Sequence, residues 1–162
     1  MVVEAYIGLG SNLGNRKKNI TEAVRLLSEM DIDVKLSSIY ESRPVGFISQ
    51  PTFFNAVCRI NTRLNVFDLL DVLKKIECLF GRRRSFPNAP RVLDLDILMY
   101  GDHVYDLPFI KIPHPRMTQR AFVLVPLAEI ASNLPHPILN VSIGSLLNNL
   151  IEFDIQMVRK LV

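Results

Sequence analysis

Residues 91–100 read RVLDLDILMY, and the alternation of apolar and acidic residues in this stretch predicts a β-strand. Successive side chains of a strand point to opposite faces, so Asp94 and Asp96 share one face, about 7 Å apart along the chain. The other face is expected to carry the apolar residues Leu93, Leu95, Ile97 and Met99. This strand therefore contributes one face to a hydrophobic core and brings two carboxylates together on the other.

The aspartate pair is hard to explain as structure alone. At about 6 Å and an effective dielectric constant of about 20, two carboxylates repel by about 3 kcal/mol, and aspartate is depleted in strands. A bound Mg²⁺ reverses this repulsion, since it takes one or two protein carboxylates together with substrate phosphates. Calcium is less favoured, because the glycine and glutamate of an EF-hand loop are absent at the required spacings. The alternative to a metal site is a solvated pair on an exposed strand face.

The composition is typical of one globular domain. The chain has 162 residues, 49% of them hydrophobic, and a net charge of +3, so we expect a single domain over residues 1–162 and no general binding of nucleic acid. It starts with a strand-like pattern rather than a signal segment, and no apolar run has membrane-spanning length. Cys58 and Cys78 match neither a disulfide framework nor a metal spacing. These features predict a cytoplasmic protein that does not bind membranes.

The order of the periodic segments predicts the fold. The apolar patterns favour a strand over residues 2–9, a helix with Ile20, Val24, Leu27 and Met30 on its apolar face, strands over 34–40 and 55–61, a second helix, and the aspartate strand. Asn65 is the expected N-cap of the second helix, which ends at Gly81. This order is that of a ferredoxin-like βαββαβ sheet. With helices on both faces of the sheet, we expect a three-layer α+β fold.

The C-terminal third is expected to add shorter elements. A short edge strand is predicted over residues 104–107, a third helix from near Thr118, and a fourth helix capped by Ser142. Pro126 must then lie in the first turns of the third helix or break it. A last strand is predicted over residues 155–158.

Arginines flank the aspartate strand. Residues 82–84 are all arginine and follow the predicted end of a helix, where a cation also complements the helix dipole, so capping is an alternative role for at least one of them. Arg91 directly precedes the strand, where its guanidinium can bind phosphate oxygens bidentately. His114, between two prolines, and Arg120 add further donors, and a structural role is the alternative for the histidine.

The loop over residues 41–54 is long, which favours a ligand-binding segment. It carries Phe47, Phe53 and Phe54 and is followed by Asn55. Together with Phe122, two of these rings can enclose a flat heterocycle while the asparagine amide binds its edge. Core packing is the alternative for each phenylalanine taken alone.

The first predicted strand runs into a glycine-rich stretch. Gly8, Gly10 and Gly14 have the spacing G-x-G-x-x-x-G, which is not the dinucleotide-binding fingerprint, and no P-loop lysine follows. We interpret Gly10 and Gly14 as residues that shape a tight turn from strand to helix. A supporting role beside the site stays open.

Five blocks of the chain resemble the 6-hydroxymethyl-7,8-dihydropterin pyrophosphokinase family of folate biosynthesis. They are YIGLGSNLG (6–14), YES (40–42), FFNAV (53–57), PRVLDLDIL (90–98), and IPHPRM (112–117) with RAFVL (120–124). The blocks span nearly the whole chain in order, and the fourth is close to diagnostic.

The resemblance implies an enzyme that transfers the pyrophosphoryl group of ATP to the hydroxymethyl oxygen of the pterin and releases AMP. It implies two Mg²⁺ ions held by Asp94 and Asp96, and catalytic roles for these two residues with Arg82 and Arg91. The ATP-binding residues that it implies are Glu77, Arg84, Ile97, His114 and Arg120. The pterin-binding residues that it implies are Ser42, Pro44, Val45, Phe53, Asn55 and Phe122. We expect small-molecule substrates only, and a monomer.

The chain also departs from the family pattern. The loop before Pro90 often carries Arg-Trp-Gly in the family, whereas here it reads PNA (87–89). Ser85 stands where a basic residue is expected, Arg43 where proline is common, and Phe53 where tyrosine is common. These differences concern loop closure and pterin contacts rather than the reaction.

Two other classes of function are compatible with parts of the pattern. Asp94-Leu95-Asp96 also matches the D-x-D of metal-dependent glycosyltransferases, which are generally larger and use a doubly wound nucleotide domain. A ferredoxin-like RNA-binding module would instead carry aromatic and basic residues on its sheet face, where this chain has carboxylates.

Overall fold

The computed structural model describes residues 1–30, 33–46, 48–81 and 89–161. In chain order its elements are β1 (Val3–Ser11), α1 (Arg16–Ser28), β2 (Asp33–Leu36), β3 (Tyr40–Ser42), β4 (Phe53–Thr62), α2 (Val66–Leu79), β5 (Asp94–Tyr100), β6 (Tyr105–Leu107), β7 (Ile110–Ile112), a 3₁₀ turn (Met117–Gln119), α3 (Ala121–Ala131), α4 (Ile143–Asn148), α5 (Glu152–Gln156) and β8 (Val158–Lys160).

The central sheet is antiparallel. Over the described residues its strands lie in the order β5-β1-β4-β3-β8, and β2 also pairs with β4, whereas β6 and β7 form a separate hairpin. Because β4 lies between β1 and β2, the first helix connects two strands that are not neighbours. This is the split βαβ arrangement, and the predicted ferredoxin-like fold is confirmed.

Helices cover both faces of the sheet, as predicted. The core on one face joins α1 and α2 to the sheet through residues that include Ile7, Ile20, Leu27, Ile60, Leu69, Leu73, Leu93 and Leu95. The core on the other face joins α3 and α4 to it through residues that include Tyr6, Val57, Leu98, Met117, Leu124, Leu127 and Ile143. No helix in the described part of the chain combines the length and the apolar content that crossing a membrane requires.

The predicted start of the second helix is confirmed. The Asn65 side chain accepts hydrogen bonds from the backbone N–H groups of Phe67 and Asp68, both at 3.0 Å. These N–H groups have no partner inside the helix, so the cap determines where α2 begins. Beyond the other end of α2, Gly81 has a φ of +72°, the left-handed conformation common after a helix.

The strand predicted over residues 34–40 is interrupted. The chain forms β2 and β3, and residues 37–39 belong to neither strand, although the backbone N–H of Ser37 still donates to the Val57 carbonyl at 2.9 Å. There the hydroxyl oxygen of Ser37 accepts the Val57 N–H at 3.0 Å, a position that a backbone carbonyl would otherwise occupy. The side chain thus replaces one ladder hydrogen bond and lets the chain change direction.

The aspartate strand contains a bulge that the alternation did not predict. Ile7 pairs with Ile97 but Tyr6 pairs with Met99, so Leu98 is an extra residue on β5. An extra residue reverses the alternation beyond it. The expectation that Met99 shares a face with Leu93 and Leu95 is therefore wrong, because Met99 packs in the core beneath α3.

The C-terminal third confirms one prediction and corrects another. Pro126 is the sixth residue of α3, which runs unbroken from Ala121 to Ala131, so the proline lies within the first two turns as predicted. The last strand is not at residues 155–158. Instead α5 occupies Glu152–Gln156, and β8 follows at Val158–Lys160, paired with β3.

Candidate active site

A cavity of about 280 Å³ opens on the sheet face that α3 covers. Strands β1, β3, β4 and β5 and the segment that leads into α3 contribute to its walls. Its lining includes Gly8, Gly10, Ser42, Arg43, Val45, Phe53, Asn55, Arg91, Asp94, Asp96, His114, Arg116, Arg120 and Phe122. The fold thus brings together residues from five separate blocks of sequence.

The floor of the cavity is a row across three strands. Gly10 of β1 pairs with Asp94 on one side and with Asn55 on the other. Neighbouring strands lie about 4.8 Å apart, so the carboxylate end and the amide end of the row are separated by about 10 Å. A Cβ at Gly10 would lie 3.4 Å from Asn55 Oδ1 and 3.9 Å from Asp94 Cβ. The missing side chain keeps the space between the two ends open.

This finding changes the interpretation of the glycine-rich stretch. Gly8 and Gly10 lie within β1 and line the cavity, and Gly8 pairs with Asp96. Only Gly14 has the turn role proposed for it, with a φ of +66°. The spacing of two residues between Gly8 and Gly10 could have indicated this position, because residues i and i+2 of a strand lie on the same face.

Asp94 and Asp96 share the cavity face of β5, and each is partly buried. Arg91 Nη1 donates a hydrogen bond to Asp94 Oδ2 at 2.8 Å, and both side chains are 22% exposed. Within the described ranges, no group of three or more His, Cys, Asp or Glu side chains is arranged to hold a metal ion. Two carboxylates without a third such ligand suit Mg²⁺, which completes its shell with water and substrate phosphates.

Basic side chains surround the carboxylates. Arg91, His114, Arg116 and Arg120 all line the cavity. Burial lowers the pKa of Arg120, and the neighbouring Arg116 lowers it further, while Asp96 and Asp94 oppose the change. These three arginines around one cavity favour a polyanionic ligand.

His114 is neutral in this environment. Burial, and then the charges of Arg120 and Arg116, lower the pKa of His114 to about 4. Its Nδ1 accepts the Arg116 N–H at 3.2 Å, which assigns the proton of the neutral ring to Nε2. The His114 ring therefore provides a neutral Nε2–H donor. The backbone N–H of His114 donates to the Leu98 carbonyl at 2.8 Å and holds the residue beside β5.

The Asn55 end of the cavity carries two aromatic rings that lie near the basic groups, since Arg91 Cζ is 5.9 Å from the centre of the Phe53 ring and Arg120 Cζ is 5.5 Å from that of Phe122. Phe53 and Phe122 line it together with Asn55, whose Nδ2 donates to Ser42 Oγ at 2.7 Å. Asn55 and Ser42 are 6% and 5% exposed. This hydrogen bond fixes the orientation of the amide, and so fixes which edge groups of a bound ring it can recognise.

Three of the predicted site residues do not bring a side chain into the cavity. Ile97 packs in the core on the opposite face of the sheet, and Pro44 is not part of the lining. Glu77 is buried on α2, where Oε1 accepts the Leu95 N–H at 2.7 Å. Glu77 therefore holds the backbone between the two aspartates from behind, and its predicted ATP contact stays a prediction.

Other predicted residues lie outside the described residues. These are Arg82 and Arg84, together with Phe47 and residues 87–88 of the loop before Pro90. Arg43 and Arg116 line the cavity without having been assigned a role. The signal for Arg116 was its place two residues after His114, within the same proline-rich segment.

A comparison with known protein families identifies the family of the chain. The family model described as 7,8-dihydro-6-hydroxymethylpterin-pyrophosphokinase (HPPK) matches residues 6–132. The chain belongs to the HPPK family. The predicted family is confirmed, and the match covers every lining residue of the cavity.

Bacterial relatives match over most of their length. The chain is 45% identical to the 2-amino-4-hydroxy-6-hydroxymethyldihydropteridine pyrophosphokinase of Bacillus subtilis, covering 80% of this chain and 79% of the relative. It is 42% identical to the enzyme of the same name from Pseudomonas aeruginosa, covering 85% and 86%.

Other relatives are much longer proteins. The folic acid synthesis protein fol1 of Pneumocystis carinii is 44% identical, but the matched region is 94% of this chain and only 21% of that protein. Among solved structures, wild-type Plasmodium falciparum HPPK-DHPS with pteroate aligns with a TM-score of 0.74 over 91% of this chain and 42% of its own, at 17% identity. The HPPK fold thus also occurs as one part of larger chains.

Proposed function

We propose that this HPPK-family chain transfers the β,γ-pyrophosphoryl group of ATP to the hydroxymethyl oxygen of 6-hydroxymethyl-7,8-dihydropterin. The pterin oxygen attacks the β-phosphorus, the bond from that phosphorus to the α-phosphate oxygen breaks, and AMP and one proton leave. The observation that carries this proposal is the two-ended cavity, with Asp94 at one end of the Gly10 row and Asn55 at the other. The family match supports the same reaction.

At the polar end, we assign the binding of the ATP phosphates. Asp94 and Asp96 are the candidate ligands of two Mg²⁺ ions, which when bound would neutralise phosphate charge and orient the reacting oxygens. Arg91 and Arg120, together with Arg82, are the candidate cations for the transferring phosphates. The Nε2–H of His114 adds a neutral donor, so it binds phosphate oxygen without depending on the pH near neutrality.

At the aromatic end, we assign the binding of the pterin. Phe53 and Phe122 supply apolar faces for a flat ring, and Asn55 supplies an amide for its edge. The Asn55–Ser42 hydrogen bond favours a single amide orientation, which suits selection of one heterocycle. Val45, which also lines the cavity, and Pro44 are candidate contacts from the neighbouring loop.

The proposed chemistry needs no nucleophilic side chain. Pyrophosphoryl transfer depends mainly on alignment and charge stabilisation. A bound pterin on the Asn55 side and bound phosphates on the Asp94 side would meet above Gly10, which contributes no side chain of its own. The ion pair of Arg91 with Asp94 supports a role for this arginine in stabilising the charge that develops during transfer.

We further propose that residues 1–162 act as one domain, as a monomer, and in the cytoplasm. The described elements build one central sheet with a core on each face, which supports the first of these proposals. Light scattering of the purified protein tests the second, with a mass near 18.4 kDa expected.

A direct assay tests the reaction. The purified chain is incubated with ATP, Mg²⁺ and 6-hydroxymethyl-7,8-dihydropterin, and nucleotide products are separated by chromatography. We expect AMP and pterin diphosphate in equal amounts, both dependent on added Mg²⁺. Formation of ADP, or no turnover, contradicts the proposal.

A further inference from the structure

Asn12, directly after β1, joins the two ends of the cavity without lining it. It is 2% exposed. Its side-chain Oδ1 accepts the backbone N–H of Arg91 at 2.8 Å, and its backbone N–H donates to the Arg91 carbonyl at 3.1 Å. Its Nδ2 donates to Gln50 Oε1 at 2.8 Å and to the Pro51 carbonyl at 3.2 Å. One buried side chain therefore holds two loops that are distant in sequence.

The two loops lead to opposite ends of the cavity. Residues 50–51 run directly into β4, whose first residue is Phe53 and whose third is Asn55. Arg91 precedes β5 and forms the ion pair with Asp94. Asn12 is hydrogen-bonded to both loops at ordinary lengths of 2.8–3.2 Å, so a shift of either loop changes its contacts.

We infer that Asn12 is a positioning residue that couples nucleotide binding at the polar end to pterin binding at the aromatic end. This inference rests on the proposed function, because it needs both ligands. When nucleotide phosphates bind the Arg91 guanidinium, they favour one conformation of the Arg91 backbone. The hydrogen bonds of Asn12 to that backbone and to residues 50–51 then favour one position of the second loop. By linkage, bound pterin favours nucleotide binding by the same factor.

A purely structural role is the competing explanation, and Asn19 provides the matched control. Its Nδ2 also donates several hydrogen bonds, to Ser11 Oγ at 3.1 Å, the Leu13 carbonyl at 2.9 Å and the Val92 carbonyl at 3.2 Å. These contacts hold the turn after β1 but do not include the loop at residues 50–51. Asn19→Ala should lower stability and leave the coupling intact.

The experiment measures coupling directly by calorimetry. Binding of 6-hydroxymethylpterin is titrated with and without a non-cleavable α,β-methylene analogue of ATP and Mg²⁺, in the wild type, Asn12→Ala, Gln50→Ala and Asn19→Ala. The ratio of the two pterin affinities is the coupling factor. We expect about tenfold or more coupling in the wild type. We expect Asn12→Ala to lower that factor about fivefold, with changes of less than about threefold in the affinity for either ligand alone.

Gln50→Ala keeps the inference testable if Asn12→Ala does not fold. It removes one of the two loop contacts of Asn12, leaves those to the Pro51 carbonyl and to Arg91 in place, and should lower the coupling in the same direction by a smaller factor. The double variant, which combines Asn12→Ala and Gln50→Ala, should lower the coupling factor little more than Asn12→Ala does alone. Steady-state kinetics give a second readout, in which both variants raise the pterin KM measured at saturating ATP more than they lower kcat.

The outcomes separate this inference from the proposed function. A wild type that releases AMP and couples the two ligands, with coupling lost in Asn12→Ala and kept in Asn19→Ala, supports the inference. A wild type that releases AMP but shows the same coupling factor in all variants, or none at all, overturns the inference and leaves the reaction standing. A wild type without turnover overturns the proposed function itself.

Discussion

At the scale of single residues, the aspartate pair makes the sharpest prediction. Asp96→Asn keeps the shape of the side chain but removes the charge that a cation and the basic cluster need. We expect turnover to fall by about 100-fold or more, with an unchanged unfolding midpoint. The AMP-release assay measures the first quantity and urea unfolding the second.

Asp102→Asn is the control for this change. Asp102 follows β5 closely in sequence, but its side chain is 97% exposed, and it pairs with His103 rather than with any lining residue of the cavity. Its removal should leave turnover within about twofold of the wild type, as for most surface substitutions. Equal activity of the two variants would contradict the metal role of Asp96.

Gly10 gives a second prediction at this scale. In Gly10→Ala, the new methyl group makes ordinary contacts of 3.4–3.9 Å with Asn55, Asp94 and Phe53, so the fold should tolerate it. The methyl group nevertheless occupies the floor where the two substrates meet. We expect the KM for the pterin to rise about tenfold, while the KM for ATP in the same variant serves as the internal control. An unchanged pterin KM would show that the floor does not touch this substrate.

At the scale of elements, the start of α2 can be tested separately from the chemistry. Asn65→Ala leaves the N–H groups of Phe67 and Asp68 without their cap, at a cost of about 1–2 kcal/mol in the free energy of unfolding. Asn65→Ser retains a capping oxygen and should lose less. Turnover at saturating substrate should be equal in both, because α2 lies on the face away from the cavity. A lower kcat in Asn65→Ala alone would show that α2 also governs the site.

Local patterns in the sequence predicted some of the elements correctly, whereas features that depend on a partner strand were not predictable. The Asn65 cap and the alternation around Asp94 are local patterns, and both predicted the structure correctly. The bulge at Leu98 was not predictable, because an extra residue is visible only against the register of the partner strand. The interruption at Ser37 depends similarly on a hydrogen bond to β4, far along the chain.

The same distinction holds for the candidate site. The carboxylates, Arg91 and the aromatic residues of the lining stood out by type, whereas Gly8, Gly10 and Arg116 did not. Glu77 and Asn12 could not be given their structural contacts from the sequence, because each acts through the backbone of a distant segment, at Leu95 and Arg91. Such contacts leave no periodicity or spacing in the sequence.

At the scale of the whole molecule, stability should depend on pH through two histidines. Burial and two arginines lower the pKa of His114 to about 4, and burial lowers the pKa of His136. The unfolded chain takes up protons on both rings as the pH falls below about 6.5, whereas the folded chain does not until lower pH. The free energy of unfolding should therefore fall by at least about 1 kcal/mol between pH 7 and pH 5.

His136→Asn tests this linkage without touching the cavity. The Nδ1 of His136 accepts the N–H groups of Ile138 and Leu139, each at 3.3 Å, and the Oδ1 of asparagine can replace that acceptor without titrating. Urea unfolding between pH 4.5 and pH 7.5 (about the range in which histidine titrates) should give a shallower loss of stability in the variant than in the wild type. Because the folded pKa is lowered, the two curves should differ most at the acidic end and converge toward pH 7.5. Parallel curves over the whole range would mean that His136 takes up its proton equally in the folded and unfolded chains.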